Sequence, residues 1–464
     1  MFKPSFLFLF ILILFNSCKK TSVPEVVSAT NELYAIGQFE GPMTCTATFV
    51  EIPNSSPDAP AIVITNGHCT NEVFQDNEIQ VNKAMNASIV FKKLNDIPES
   101  QYVRVNTKSI LYGTMKGTDL AIVELNISNK DLIAKGIKPL KIADAYPAIG
   151  AKIEAYGYPL SLTPVYLRKS EDVLGPSSNI SEFIWMWRGL FSSNFKDIYP
   201  GSSGSPVFAN GGKSIFGMIN TTTIGATGEC ELGAPCELGI GKTPTVKENT
   251  TYIIDATKIK NCFNSQGVFD INSASFPFEK PSNFRVNMKF FFRNFSSNSV
   301  GKDFEIEVEN PSNTAYKLES FLQFDANNKS GFISNNSSII SGKIPSTEGY
   351  YVVSVMKDNR FDQIKYLTFK VDLTGPSTSL IEIERVKLES GGFNVRPIFK
   401  YPELTQFDWK YGPENSCNCN ELSSYTSFNR IPTQVNANEL PFKFCIIGFD
   451  LAGNKSGIKE FVLR

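Results

Sequence analysis

Short apolar runs separated by turn-forming residues dominate the sequence from about residue 31 onward. Residues 61–65, 88–92, 120–125 and 152–158 are such runs, built mainly from Ile, Val, Ala, Leu, Phe and Tyr. Runs of this length, with Gly, Pro or Asn nearby, are typical of β-strands rather than helices. Phe (37 residues), Tyr (16), Gly (32) and Pro (26) also favour strands and turns. The pattern predicts an all-β protein.

Two local patterns refine this prediction for the first half of the chain. Residues 206–208 and 214–219 flank Asn210-Gly211-Gly212, whose residues tolerate positive φ, so we expect a hairpin there. Residues 252–263 space their apolar side chains as a helix does. We therefore expect a region of strands over residues 31–265 that is closed by a C-terminal helix.

The N-terminal segment has the features of an export signal. Lys3 precedes an unbroken apolar run over residues 6–15, which is too short to span a bilayer as a helix. The run ends in Asn16-Ser17-Cys18, which resembles the lipobox of bacterial lipoproteins. The resemblance implies a signal peptide over residues 1–18, a lipid on Cys18 and a tether over residues 19–30. The alternative is an ordinary secretory signal with an incidental cysteine.

A lipid on Cys18 would anchor the protein to a membrane. We therefore expect it in a bacterial cell envelope, at the outer membrane or cell surface rather than the inner membrane. No later stretch reaches the roughly 18 apolar residues of a transmembrane helix.

Charge and composition exclude several classes of function. The formal net charge is −1 and the pI about 6.1, so no basic footprint for nucleic acid exists. Hydrophobic residues make up 42% and charged residues 20%, as in folded rather than disordered chains. The single histidine excludes sites with two imidazoles, including His-rich zinc centres. The pair Cys417 and Cys419 has no companion histidine, so we expect no metal and no cofactor.

The eight cysteines beyond Cys18 are an even number in an exported chain, where disulfides persist. We expect two bonds, one between Cys45 and Cys69 and a short local one between Cys230 and Cys236. The other four are expected to pair among themselves, and three connectivities are open: Cys262, Cys417, Cys419 and Cys445.

A change of composition and a faint repeat divide the second half of the chain. Residues 266–283 are rich in Ser, Pro and Phe and predict a linker. Beyond it, residues 349–370 can be aligned with residues 442–463, each a strand, a polar turn and a final strand. The distance along the sequence between the two aligned segments suits one β-sandwich of about 100 residues. We therefore expect two immunoglobulin-like β-sandwiches, over residues 284–372 and 373–464.

Three residues form a pattern that carries chemistry. His68 directly follows an apolar strand, Asp119 begins another, and Ser203 lies in the glycine-flanked run Pro-Gly-Ser-Ser-Gly-Ser-Pro. A serine hydroxyl needs a base to become a nucleophile, and a buried carboxylate holds that base in one tautomer. Gly201 would let the N–H groups of residues 201 and 203 converge on an oxyanion. Singly, Asp119 is more often a solvated strand end and the Gly/Ser run a flexible turn. The order His–Asp–Ser, with each residue beside a strand, favours acyl transfer.

The strings CTATF, ITNGHC, TDLAIVEL, Gly157-Tyr158-Pro159, PGSSGSPVF and IFGMI resemble the trypsin-like serine peptidases. The resemblance covers about residues 40–262 and is strongest to the bacterial branch that includes glutamyl endopeptidase. It implies two six-stranded antiparallel β-barrels, with His68 as general base, Asp119 as its orienting acid and Ser203 as nucleophile. Ser202 stands where the digestive members have an aspartate. Activation by a zymogen salt bridge is therefore not expected.

The same resemblance suggests a specificity pocket. Asp197 lies six residues before Ser203, where trypsin-like enzymes place the base of the primary pocket. A carboxylate there would favour Lys or Arg before the scissile bond, and small polar residues, Asn220 and Thr222 among them, would form the opposite wall. The alternatives are an outward-pointing Asp197 beside Lys196, and a preference for small or aliphatic residues.

Two functions from different classes fit these features. The first is a membrane-anchored serine endopeptidase that hydrolyses protein or peptide substrates through an acyl-enzyme. The second is a catalytically silent homologue that acts as a surface binding or adhesion lipoprotein. In that case the β-sandwich domains would bind a surface partner that the sequence does not identify.

Overall fold

The computed structural model describes residues 25–71, 79–183, 185–226, 228–239, 242–281, 284–288, 294–360, 364–400 and 403–464. The expected signal peptide and its Cys18 lie outside these residues. Within them, no helix is both long and apolar enough to cross a membrane.

The first sheet closes on itself as a six-stranded barrel. The order around it is β7-β6-β2-β3-β4-β8, β8 pairs again with β7, and β5 adds to the outer side of β7. Phe39, Phe49, Phe91 and Tyr112 are fully buried and belong to the apolar core around this barrel. The strands are β2 (Ile36–Glu40), β3 (Thr44–Phe49), β4 (Pro60–Thr65), β5 (Ile79–Ala84), β6 (Ser88–Phe91), β7 (Val103–Thr114) and β8 (Leu120–Ser128).

The second sheet has the order β1-β11-β10-β14-β15-β18-β13-β12-β16-β17, with β9 parallel to β15. The segment between β11 and β12 also joins β13, because the Gly175 N–H donates to the Ser192 carbonyl over 2.7 Å. Phe195, Phe216 and Ile253 lie in its core. The strands are β1 (Glu25–Val26), β9 (Lys141–Ile142), β10 (Lys152–Gly157), β11 (Arg168–Val173), β12 (Ser177–Glu182), β13 (Trp185–Ser193), β14 (Pro206–Ala209), β15 (Ser214–Thr222), β16 (Cys236–Gly239), β17 (Lys242–Thr245) and β18 (Thr251–Asp255).

The all-β prediction is confirmed, and each strand predicted above is present, including the β14–β15 hairpin. The predicted C-terminal helix is wrong over its first half. Tyr252, Ile253 and Ile254 are buried on both faces of β18, between β15 and β13, so their apolar run marks a central strand. Only Thr257–Cys262 is helical, as a 3₁₀ helix. One α-helix that the sequence pattern missed, α1, spans Asn129–Ala134.

Residues from 284 onward form two further pairs of sheets, each enclosing its own apolar core. Sheets β19-β21-β24 and β20-β26-β25-β22-β23 enclose the first core, and sheets β27-β28-β31 and β30-β29-β32-β33 enclose the second. The repeat noted in the sequence corresponds to two antiparallel hairpins, β25–β26 and β32–β33. The immunoglobulin-like assignment and the domain boundaries stay predictions.

The strands of these two units, followed by the remaining 3₁₀ helices, have the following bounds. They are β19 (Val286–Met288), β20 (Asn294–Phe295), β21 (Asp303–Val308), β22 (Thr314–Ser320), β23 (Ile333–Asn335), β24 (Ile339–Lys343), β25 (Gly349–Lys357), β26 (Lys365–Val371), β27 (Ile383–Lys387), β28 (Phe393–Pro397), β29 (Gln406–Pro413), β30 (Thr426–Ser427), β31 (Thr433–Val435), β32 (Phe442–Phe449) and β33 (Lys459–Leu463), with 3₁₀ helices at Leu33–Ala35, Glu99–Gln101, Ser297–Ser299, Thr378–Leu380, Leu422–Ser424 and Ala437–Glu439.

The segments expected to be tether and linker are both attached to the fold. Glu25–Val26 pairs with β11, so the described end of the tether extends the second sheet. In the linker, Phe276 and Phe278 contact the ring of Tyr112 in the first barrel. Glu279 forms an ion pair with Lys116. Aromatic side chains in a Ser/Pro-rich stretch thus bury it against the barrel.

The first of the two C-terminal units packs against the second sheet. Phe321, Phe324 and Val352 form one buried cluster with Met186 and the disulfide loop 230–236. The Tyr350 hydroxyl donates to the Glu229 carbonyl, and the Thr368 hydroxyl donates to the Phe183 carbonyl over 3.2 Å. This unit is therefore fixed to the second sheet through an apolar contact and two hydrogen bonds.

The structure contains both of the disulfides expected by name, but it does not pair all of the other four cysteines. Cys45 is bonded to Cys69 and Cys230 to Cys236, as expected. The expectation that the other four all pair is wrong: Cys419 is bonded to Cys445, whereas Cys417 and Cys262 are free and buried. Cys262 lies in the core around the first barrel, away from the cluster that holds the other three. Cys417 lies 3.6 Å from the already bonded Cys445 sulfur.

Candidate active site

Pairing of two barrel strands brings His68 and Asp119 together across 51 residues of sequence. Thr65 at the end of β4 is opposite Ala121 near the start of β8, so the residues just beyond these ends are neighbours. His68 Nδ1 and Asp119 Oδ2 are 2.6 Å apart, and the His68 backbone N–H donates to Asp119 Oδ1 over 3.0 Å. The Asn66 side-chain amide donates to the Asp119 carbonyl over 2.9 Å. The carboxylate and the ring are therefore held in one geometry.

Gly67 permits this close approach. A Cβ atom at position 67 would lie 2.1 Å from the Thr114 carbonyl oxygen and 3.0 Å from Asp119 Oδ1. Only glycine fits between the His68 strand end and the backbone that precedes Asp119.

The electrostatic environment of His68 favours its protonated form. The Asp119 side chain is fully buried, whereas 21% of the His68 side chain is exposed. Burial lowers the pKa of His68, but the charge of Asp119 and the hydrogen bond to it raise it, and the net pKa lies above the ordinary value. Asp119 thus stabilises a positive charge that forms on the His68 ring.

Ser203 lies in a tight turn whose conformation depends on two glycines. Gly201 and Gly204 have φ values of +96° and +80°. The N–H groups of Ser202 and Ser205 donate to the carbonyls of Tyr199 and Ser202, over 2.9 and 3.0 Å. In the described part of the chain, the N–H groups of residues 201 and 203 have no such acceptor. Two backbone donors are therefore available to a ligand at this turn.

The three serines of the turn differ in accessibility. Ser202 and Ser205 are only 2% and 1% exposed, whereas Ser203 is partly exposed. Ser203 is thus the serine of this turn that a substrate can reach.

Thr46 of β3, in the first barrel, forms hydrogen bonds that hold the serine turn of the second sheet. Its backbone N–H donates to the Ser203 carbonyl over 2.8 Å, and its hydroxyl donates to the Gly201 carbonyl over 2.9 Å. The same hydroxyl accepts from the Tyr158 N–H over 3.1 Å. Its neighbour Cys45 is bonded to Cys69, next to His68. One strand therefore positions both the serine turn and the histidine.

Residues 45–218 match the family model of the trypsin-like peptidase domain. The matched segment contains His68, Asp119 and Ser203, and it begins at the cysteine of β3 and ends within β15. A sequence search of the curated proteins finds no match to the chain.

Three solved structures are similar to part of the chain. The M. tuberculosis H37Rv protein Rv3671c, in the inactive form of a mutant, is 14% identical, with a TM-score of 0.31 over 52% of this chain and 92% of that one. The thermostable serine protease AL20 from an extremophilic microorganism is 15% identical, with a TM-score of 0.30 over 49% and 93%. A Glu endopeptidase in complex with MPD is 17% identical, with a TM-score of 0.32 over 43% and 86%.

The residues expected to form a specificity pocket are buried to different degrees. Asp197 is half-buried, its Oδ1 atom has no hydrogen-bond partner in the described part, and burial raises its pKa against a smaller opposing effect of Lys196. Asn220 is 3% exposed, and neither atom of its side-chain amide is bonded within the described residues. The Thr222 hydroxyl donates to the Thr250 carbonyl over 3.2 Å. Within the described residues, Asp197 and Asn220 therefore carry unpaired side-chain polar atoms, whereas Thr222 does not.

Several residues that position the site carried no signal in the sequence. Thr46 is one of many threonines, and its neighbour Cys45 was the only hint. The loop before Asp119 is held by the Trp187 indole, which donates to the Met115 carbonyl over 3.0 Å, and by the Lys116–Glu279 ion pair. These contacts come from the second sheet and the linker, so local pattern cannot reveal them.

Cys45, His68 and Cys69 are the one group of potential metal ligands that lies close together in the described part, within 4.8 Å of one another. Both sulfurs are consumed by the disulfide, so thiolate ligands are not available. The group does not fit a metal.

Proposed function

We propose that the trypsin-like domain is a serine endopeptidase in which His68, Asp119 and Ser203 act together. The observation that supports this most is the 2.6 Å contact between Asp119 and His68 Nδ1, because it leaves the opposite ring nitrogen, Nε2, free to act as a base. The second support is the serine turn, which combines an accessible hydroxyl with two N–H groups that have no acceptor among the described residues.

The proposed reaction follows from these groups. His68 Nε2 takes the proton of the Ser203 hydroxyl as its oxygen attacks the peptide carbonyl, and Asp119 stabilises the imidazolium that forms. The N–H groups of Gly201 and Ser203 bind the oxyanion. The C–N bond then breaks, His68 gives the proton to the leaving amine, and water hydrolyses the acyl-enzyme by the same steps. No cofactor is required.

The oxyanion turn is proposed to form without a zymogen salt bridge. Ser202 cannot supply the carboxylate that such activation needs, and its own N–H is bonded to Tyr199 within the turn. Thr46 instead holds Gly201 in place through its hydroxyl. The domain should therefore be active without cleavage of its N-terminus.

The remaining parts of the proposal concern the second barrel, the membrane anchor and the residue preference, which the sequence led us to expect. The second sheet would complete a second six-stranded barrel, since the Gly175–Ser192 hydrogen bond joins the β11–β12 connection to β13. A lipid on Cys18 would anchor the enzyme in a bacterial cell envelope, where it would cleave protein or peptide substrates. The unpaired Asp197 oxygen supports a preference for Lys or Arg before the scissile bond.

Hydrolysis of a peptide library by purified protein tests this function. Ser203→Ala should abolish cleavage, whereas Ser205→Ala is the matched control, because it removes a buried hydroxyl that has no partner in the described residues. Loss of activity in both variants, or in neither, would contradict the assignment. Cleavage after Lys or Arg that is lost on Asp197→Ser would support the pocket.

A further inference from the structure

We propose that Glu279, in the linker, is a positioning residue for Asp119, because its carboxylate holds the loop that carries Asp119 against the second sheet. Residues 115–119, which connect β7 to β8, are called the Asp119 loop below. Glu279 lies beyond the residues that match the family model and beyond those that resemble the trypsin-like peptidases. The inference rests on the role proposed for Asp119.

The Asp119 loop belongs to the first barrel, but the second sheet holds its backbone. The Trp187 indole of β13 donates to the Met115 carbonyl over 3.0 Å. The Arg188 N–H, also of β13, donates to the Gly117 carbonyl over 3.1 Å. Asp119 is fully buried at the end of this loop. A displacement of the loop would therefore move the Asp119 carboxylate relative to its histidine partner.

Glu279 adds a side-chain bridge to these backbone contacts. Its carboxylate pairs with the ammonium group of Lys116, a residue of the Asp119 loop, and it is the only acid that does so within the described residues. The same carboxylate accepts a hydrogen bond from the Arg188 guanidinium over 3.1 Å. The Lys116 and Glu279 side chains are only 8% and 17% exposed. Loss of the carboxylate would thus leave a buried ammonium group without a partner, which is strongly unfavourable.

The position of Glu279 is fixed independently of the Asp119 loop. The hydroxyl of Tyr112, a fully buried residue of β7, donates to the Glu279 carbonyl over 2.9 Å. Phe276 and Phe278 of the linker contact the Tyr112 ring, with centroids 5.4 and 5.8 Å from it. The linker is therefore anchored to the body of the barrel. A carboxylate on such a segment can hold the loop in place.

The bridge also reaches the first C-terminal unit. The Arg188 guanidinium lies over the ring of Tyr366 in β26, 5.2 Å from its centroid. Arg188 thus contacts the linker through Glu279 and the C-terminal unit through Tyr366. Residues outside the trypsin-like domain therefore contribute to the support of the Asp119 loop.

Glu279→Gln tests the inference in the full-length protein. Glutamine has nearly the same shape and its amide oxygen can still accept a hydrogen bond, but the charge that balances Lys116 is lost. A misplacement of about 1 Å at a catalytic group can cost up to about 10²-fold in rate. We expect kcat to fall about tenfold, with KM changed by less than about twofold, because Glu279 contributes to the placement of Asp119 rather than to binding of the peptide.

The double variant Lys116→Met/Glu279→Gln shows whether the effect passes through Lys116. If the two side chains act as a unit, its kcat should be no lower than that of Glu279→Gln. The double variant leaves no unpaired buried ammonium, so it stays measurable if Glu279→Gln does not fold. A kcat of the double variant within about twofold of the unsubstituted protein would overturn the inference, and so would effects of the two substitutions that multiply.

Glu154→Gln is the matched control for a merely structural role. Glu154 is also a buried acid, and it pairs with Lys169 over 2.7 Å within the second sheet. It accepts hydrogen bonds from Tyr156 and Gly211 rather than from the Asp119 loop. Its substitution should destabilise the fold and leave kcat within about twofold of the unsubstituted value. A tenfold loss of kcat in this control as well would overturn the inference.

The single histidine of the chain supplies a readout that needs no hydrolysis, because ¹³C-histidine labelling with a histidine-free tag gives one ring signal to titrate by NMR. Burial lowers the pKa of His68, whereas the charge of Asp119 and the hydrogen bond to it raise it. Displacement of Asp119 in Glu279→Gln should therefore lower the pKa of His68 by roughly half a pH unit. A His68 pKa within about 0.2 of that of the unsubstituted protein would overturn the inference. A lowered pKa in a protein that hydrolyses no peptide would instead contradict the proposed function, while the positioning of Asp119 by Glu279 would stand.

Discussion

Thr46→Val tests whether one buried hydroxyl holds the serine turn in its working shape. Thr46 is fully buried, and valine has nearly the same volume, so the change leaves little cavity. It leaves the Gly201 carbonyl and the Tyr158 N–H without their partner. Each buried group left unsatisfied costs about 1–3 kcal/mol, so the loss of both partners should lower the free energy of unfolding by about 2–6 kcal/mol. Reaction with a fluorophosphonate should also slow by more than tenfold, because Gly201 carries one of the two proposed oxyanion donors.

Thr48→Val is the matched control on the same strand. Thr48 is equally buried, but its hydroxyl has no hydrogen-bond partner in the described residues, so its removal should be neutral or slightly stabilising. Urea unfolding and the labelling rate are measured for both variants. Equal effects of the two substitutions on both quantities would refute the role assigned to Thr46.

Four further predictions concern the catalytic residues, the C-terminal unit and the disulfides. Asp119→Asn should lower kcat by about 10⁴-fold with the fold retained, because an amide favours the wrong tautomer of His68; near-normal turnover would contradict this. Since His68 must be neutral to act as a base and its pKa is raised, kcat/KM should decline with falling pH from above pH 6.5, and a flat profile would indicate another base. Phe321→Ala, at a position 2% exposed, should destabilise the protein by about 3–5 kcal/mol and speed proteolysis between the second sheet and the first C-terminal unit; unchanged proteolysis would contradict the fixed contact. Non-reducing peptide mapping should recover linked Cys419–Cys445 and Cys45–Cys69 fragments and free Cys262, whereas a linked Cys262 would contradict the structure.

The extent to which the sequence predicts this molecule depends on how local each determinant is. Strands such as β4 and β8 follow from runs of apolar residues, and the β14–β15 hairpin follows from its turn residues. The run from Tyr252 wrongly predicts a helix, because a strand buried on both faces has no alternation of apolar and polar residues to distinguish it from a helix.

The candidate site was predictable only where a motif stands beside a strand. His68, Asp119 and Ser203 each have such a local context. Thr46 does not, because its role arises from contacts between two sheets that are distant in sequence. The free state of Cys417 and Cys262 depends in the same way on which cores they enter.

Active-site labelling tests the central claim most directly. The folded protein is incubated with a fluorophosphonate, digested, and the modified residue is identified by mass spectrometry. The account predicts one label per molecule on Ser203, none on Ser202 or Ser205, and no labelling of Ser203→Ala or His68→Ala. Folded protein that takes up no label, or that is labelled equally on the neighbouring serines, would contradict a serine peptidase built on His68, Asp119 and Ser203.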